Sequence, residues 1–248
     1  MSPLPLRVRI HMLLRSFAVQ GSWNYETLIG AGFAFAVLPG LRHLYGAKGR
    51  DLDRAVARHA ELFNSHPYFS SVAVGAVSRL EADGTEPEVV QRFKTAMRGS
   101  LGSMGDRLFW TTWRPMSVIL GLVLVMAGAA WWVAIGAFLL VYNSLHLAVR
   151  VAGLKIGVES GLDVGRLLRE APLQRIIDRG SRAACFLIGL AVVMVAAPSM
   201  VDPVAGFVSV AAIALGFFLG LRTRKVMIAI LVGVTTLALA FGFIGHGA

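Results

Sequence analysis

The residues of this chain able to do chemistry are few and fall in four separated places. They are Trp23, Asn24 and Glu26; Asn64 and His66; Gly105, Asp106 and Trp110; and Asn143 with His146. Carboxylates and amides bond vicinal hydroxyls, and aromatic rings pack the C–H face of a sugar. Together these side chains could handle a carbohydrate. Each also has a structural use: Glu26 can cap a helix, His66 can hold a turn, and Asn143 and His146 can bridge helices. Asp106 has the strongest claim, since it follows Gly99, Gly102 and Gly105 in a glycine-rich segment that suits either a substrate-handling loop or a linker. No nucleophile motif, Walker loop, dinucleotide fingerprint or HExxH pattern accompanies them. The reading assigns no catalytic residue, no metal and no cofactor.

The surroundings of these residues are membrane-like. Hydrophobic residues make up 56% of the 248 and charged ones only 15%, too apolar for an ordinary soluble domain. The net charge of +10 comes from dispersed arginines with no nucleic-acid motif. Topology and anionic lipid explain those arginines better than nucleic acid does. The one cysteine, Cys185, lies in an apolar run and reads as a packing residue. Arg7, Arg9, His11 and Arg15 interrupt the first apolar residues, so no cleavable signal peptide is expected.

Two regions are expected. Residues 1–115 form amphipathic and re-entrant helices, largely on the cytoplasmic side. An amphipathic helix over Pro5–Gln20 lies on a membrane or a partner. A short apolar stretch, Leu28–Leu41, ends at Pro39-Gly40. A helix over Arg50–Phe63 carries Leu52, Val56, His59 and Phe63 on one stripe. Tyr68–Leu80 is apolar and too short to span. A helix opened by a capping box at Thr85–Glu88 ends at Gly99. Residues 116–248 are transmembrane: a hairpin over 116–149 turning near Gly128 and Trp131-Trp132, a cytoplasmic segment over 150–182, and spans over 183–201, 204–221 and 226–244. The hairpin puts the arginine-rich segments on one side, the cytoplasmic one. One long tilted span over 116–149 would strand the basic N-terminus outside. The fold class is therefore an all-α membrane protein.

Four stretches carry a resemblance. Gly21-Ser-Trp-Asn-Tyr-Glu26, Phe63-Asn-Ser-His-Pro-Tyr68, Gly105-Asp-Arg-Leu-Phe-Trp110 with Arg114-Pro115, and Tyr142-Asn143 with Gly153-Leu-Lys-Ile-Gly157 resemble the IID component of mannose/fructose/sorbose phosphotransferase permeases. The resemblance runs from about Leu14 to the C-terminus. It implies a multi-pass subunit of the bacterial inner membrane that pairs with a IIC subunit in a hetero-oligomer. IIA and IIB domains relay phosphate to the incoming sugar, a mannose-type hexose. The IID chain itself is non-catalytic and carries no phosphorylated residue. Trp23, Asn24, Glu26, Asn64, His66, Gly105, Asp106 and Trp110 become candidates for the sugar path. The alternative is a non-transporting scaffold or receptor of the same fold. Arg107 departs from the family pattern, which has a small residue or proline after Gly-Asp; it either pairs with Asp106 or points to lipid headgroups.

Overall fold

The computed structural model describes residues 4–196, so the expected spans 204–221 and 226–244, and the end of 183–201, lie outside the described residues. Nine α-helices follow one another there: α1 Leu6–Ser16, α2 Gly30–Tyr45, α3 Arg50–Ala60, α4 Ser70–Ala82, α5 Pro87–Gly105, α6 Arg114–Met126, α7 Trp131–Ser160, α8 Val164–Glu170 and α9 Leu173–Ala196. A π-helical segment, Asp106–Trp113, joins α5 to α6, and a 3-10 turn, Gly161–Asp163, joins α7 to α8. Among the described residues there is no strand, only isolated bridges at Asn24–Leu28 and Leu28–Phe63. The described residues divide into two compact units, 4–111 with 141–177, and 112–140 with 178–196.

The first unit is built on α2 and α4. Phe33, Ala36, Val37 and Leu41 bury one face of α2, and nearly all of α4 is buried. Being short and small-sided, α4 reads as a buried helix, and its serines are satisfied locally: Ser70 donates to the Pro67 carbonyl and Ser78 to that of Val74. The close packing of α4 on α7 needs glycine. A methyl at Gly75 would collide with the Leu154 carbonyl, and one at Gly157 with that of Val72. Small residues let helix backbones approach this way in membrane proteins.

Three expectations are corrected here. The apolar stretch ending at Pro39-Gly40 is a helix that continues through both residues to Tyr45. Proline at 39 removes the hydrogen bond to the carbonyl four residues earlier, and that carbonyl, Phe35, instead accepts from Arg15 of α1 at 3.4 Å. The helix expected to end at Gly99 runs to Gly105. The Thr85–Glu88 box does not form: Glu86 is the N-cap without a side-chain cap, and Pro87 opens the helix.

In the second unit, α6 and the start of α7 are separated by a turn at Gly128, whose φ is +86°. Gly121 of α6 lies close to the Ala134 carbonyl and the Phe138 side chain. The continuous helical stretches Pro87–Met126 and Trp131–Glu170 each contain a segment long and apolar enough to cross a membrane. Trp131, Trp132, Ile135, Leu139 and Leu140 on α7 are exposed.

Candidate functional site

The glycine-rich segment singled out in the sequence is helical, not a loop. Gly99 and Gly102 have open space where a side chain would stand, whereas a methyl at Gly105 would collide with the His66 side chain. Glycine at 105 therefore admits the imidazole of a loop 39 residues away in sequence. Beyond it the helix widens into π geometry over Asp106–Trp113, a form found mostly as short bulges at functional sites. That segment swings Phe109 and Trp110 onto His66: the Phe109 ring stacks at 5.1 Å and Trp110 lies at 5.0 Å.

His66 sits between α3 and α4, 2% exposed. Its Nδ1 accepts the Tyr68 backbone N–H at 3.2 Å, so the neutral ring carries its proton on Nε2, which is buried without a hydrogen-bond partner. Burial first, then the Arg150 guanidinium and His146, lower its pKa to about 4. His66 is neutral at physiological pH.

Tyr68 extends the cluster to α7. Its hydroxyl and that of Tyr142 are 2.6 Å apart, and its ring stacks on His146 at 3.8 Å. Arg150 Nε donates to His146 Nε2 at 2.8 Å. An arginine only donates, so the His146 proton is on Nδ1, facing Asn143 Oδ1 at 3.4 Å. The guanidinium of Arg150, 3% exposed, also donates to the Ser16 carbonyl at 2.6 Å and its hydroxyl at 3.1 Å, and lies over the rings of Phe17 and Tyr68. The partners of this buried cation are an imidazole, a carbonyl, a hydroxyl and two rings. The cluster holds two imidazoles, hydroxyl donors and acceptors, a guanidinium and aromatic faces, an arrangement suited to binding and positioning. Substituting Tyr68→Phe removes the hydroxyl pair and is expected to lower stability by about 1 kcal/mol, measurable by denaturant unfolding of the detergent-purified protein.

Of the sequence candidates, the structure brings His66, Gly105 and Trp110 together. Asp106 is exposed on the π-helical segment, and Arg107 beside it donates to Gln174 Oε1 at 2.8 Å. Asn64 is exposed next to the cluster's loop. Asn24 organises its own turn: Oδ1 accepts the backbone N–H groups of Glu26 and Thr27 at 3.0 and 2.8 Å, and Nδ2 donates to Thr27 Oγ1. This turn is fastened to the 61–69 loop by the Leu28–Phe63 bridge, with Ile29 N donating to the Phe63 carbonyl. Glu26 is exposed, and Trp23 packs its ring on Tyr25. Sequence reasoning missed Tyr68, Phe109, Tyr142 and Arg150 as members of the site. Arg150 had a signal: a histidine and an arginine four apart, His146 and Arg150, closing an apolar run.

A second polar cluster lies in the same unit. Glu81 of α4, 6% exposed, accepts from Tyr45 at 2.5 Å, Arg58 at 2.7 Å and His59 Nε2 at 2.8 Å. Lys94 of α5 donates to the Arg58 carbonyl at 2.8 Å and approaches the Phe33 ring. Burial alone would raise the Glu81 pKa, but the hydrogen bonds from His59, Arg58 and Tyr45 outweigh it and hold the carboxyl at about 2. Burial, then the bond to the Glu81 carboxylate, raises Tyr45 to about 12. Helices α2, α3 and α4 meet at this one carboxylate, and α5 joins them through Lys94 at the Arg58 carbonyl. An open depression on α5, lined by Glu88, Gln91, Arg92, Thr95 and Ala96, contains none of these residues.

A helix indented at Gly105, a buried histidine cluster and two helical stretches long and apolar enough to cross a membrane are the features of a helical membrane protein. Residues 5–202 match the model of the PTS system mannose/fructose/sorbose family IID component, and the chain belongs to that family as a membrane component of the phosphotransferase system. It is 31% identical over 183 residues to the PTS system mannose-specific EIID component of Escherichia coli (strain K12), a match covering 72% of this chain and 64% of that relative's length. It is 28% identical to the fructose permease IID component of Bacillus subtilis (strain 168), over 72% of this chain and 66% of that one. Among solved structures, the cryo-EM structure of the mannose transporter ManYZ in complex with microcin E492 contains a chain 25% identical, with a TM-score of 0.60 over 98% of this chain and 97% of that one. A structure described as a membrane protein is 30% identical with a TM-score of 0.67, over 77% of this chain and 70% of that one.

Proposed function

We propose that this chain is the IID half of a two-subunit sugar permease in the bacterial cytoplasmic membrane. It pairs with a IIC subunit to form the path of a mannose-type hexose, which a IIB domain, recharged by IIA, phosphorylates on entry. The observation carrying this reading is the likeness to a chain of the mannose transporter ManYZ structure over nearly the whole of both chains. The subunit contributes path and docking surface, and the phosphoryl transfer stays with IIA and IIB. His66, Gly105 and Trp110 are the built part of the proposed path. Asp106, exposed beside them, supplies the carboxylate, and Trp23, Asn24, Glu26 and Asn64 lie on the neighbouring turn and loop.

The test is phosphoenolpyruvate-dependent uptake of labelled hexoses in cells co-expressing this chain with its IIC, IIA and IIB partners. Uptake that requires both membrane subunits supports the reading; assembly with IIC but no uptake of any hexose points to a scaffold or receptor. With transport established, Asp106→Asn is expected to reduce uptake at least tenfold, corresponding to about 1.4 kcal/mol, while co-purification with IIC persists. Wild-type uptake in that variant removes Asp106 from the path. Replacing Arg107 by serine should shift the order of preference among hexoses.

A further inference from the structure

Helix α1 buries one face and leaves an apolar strip exposed on another. Met12 and Ser16 are buried against the first unit. On the other side Leu6, Ile10, Leu14 and Phe17 form one strip along the helix and are 64, 45, 61 and 46% exposed. Arg7 and His11, both exposed, border this strip on one edge, and Arg9, half-buried with its Nε out of water, stands between the strip and the buried face. No acidic residue precedes Glu26. The turn that follows exposes Trp23 and Tyr25, packed edge to face, the two residue types that favour the membrane–water interface.

The C-terminus of α1 is fastened to α7. Ser16 is the last residue of α1, and its carbonyl is one of the four that a helix C-terminus leaves without an intrahelical partner. Arg150 caps it from α7.

We propose that α1, with the Trp23–Tyr25 turn, is a docking surface for an anionic phospholipid leaflet. The apolar strip enters the acyl boundary, while Arg7 and the exposed part of Arg9 meet phosphodiester groups. Charge complementarity selects this occupant: an exposed apolar strip edged by the Arg7 guanidinium, with Arg9 half-exposed near its other side and no acid before Glu26, fits an anionic interface. The inference requires membrane residence only and stands apart from the transport reading.

The experiment uses the full chain with Cys185→Ser and Ile10→Cys, in nanodiscs of phosphatidylcholine alone or with phosphatidylglycerol added, and follows labelling by a water-soluble maleimide. Labelling is expected to be at least fivefold slower in the anionic discs. Arg7→Gln is expected to recover about fivefold, the effect of one arginine at a charged leaflet, and high salt should do the same. Leu14→Cys is expected to repeat the pattern, guarding against a local effect at residue 10. Inorganic phosphate added to phosphatidylcholine discs should give no protection; protection by it would assign the cations to a free anion and overturn the proposal. Equal rates in the two lipids would overturn it too. So would protection that neither Arg7→Gln nor salt relieves, which would mean that α1 is covered by protein.

Discussion

Gly105→Val is expected to break the aromatic cluster and to be among the most damaging single substitutions in the chain. The first side-chain carbon at that position collides with the Cβ and Cγ of His66. The imidazole has nowhere to retreat: Phe109, Trp110 and Tyr68 surround it, and the His66 carbonyl is held by the backbone N–H groups of Phe69 and Ser70 at 3.0 Å each. Overpacking a close-packed core costs about 1–3 kcal/mol, and a β-branched side chain against this ring belongs at the upper end. Loss of the near-UV circular dichroism contributed by Trp110, with a lowered unfolding midpoint in detergent, is the expected result. Gly102→Ala is the internal control. Open space surrounds that position, and alanine is worth up to about 1 kcal/mol over glycine inside a helix. Gly102→Ala should therefore be neutral or stabilising. Equal damage at both positions would show that helix flexibility, and not the fit of His66, is what glycine serves here.

The second large effect is expected at Glu81→Ala. The carboxylate is the shared acceptor of Tyr45, Arg58 and His59, and its removal leaves the Arg58 charge part-buried beside Lys94 without its ion-pair partner. Breaking a buried pair by deleting one partner costs about 3–5 kcal/mol. Glu81→Gln keeps an acceptor oxygen and should lie between wild type and alanine in a denaturant series. The same cluster sets an acid limit. Because the folded Glu81 titrates at about 2, below its unfolded value, its stabilisation is fully present above the unfolded carboxylate range and is lost as pH falls toward 2. His59 acts earlier. Burial, chiefly, lowers its pKa, and protonation would add a proton at Nδ1, which is buried with no partner. The unfolded chain takes up that proton below about pH 6.5 while the folded one resists. Stability should therefore decline from about pH 6.5 downward, and His59→Gln should flatten the upper part of that decline.

The local features of the chain were legible from residue type because they depend on neighbours in sequence. Asn24 was singled out for its side-chain chemistry, and Asn-type amides bond their own backbone two residues on, as Asn24 does with Glu26 and Thr27. Glycine at 105, an acid at 106 and aromatics at 109 and 110 were visible as a unit. Their conformation was not. Glycine density argues for a loop by local propensity, yet tertiary packing overrides it: in an apolar setting the helix satisfies every backbone group it can. The helix through Pro39 was missed for a related reason, since the carbonyl that proline orphans is met by Arg15, from a different helix.

The sequence by itself determined that this is a helical membrane protein of the phosphotransferase IID family, because apolar run lengths and four short motifs are properties of the linear chain. Only the tertiary structure decided which of those motifs meet. His66, Gly105 and Trp110 form one cluster with Tyr68, Tyr142, His146 and Arg150, whereas Trp23 turns to Tyr25. The reason is steric and electrostatic: a histidine fits only where a glycine leaves room for it, and a buried arginine settles only where a helix end and two rings can replace the water it has lost.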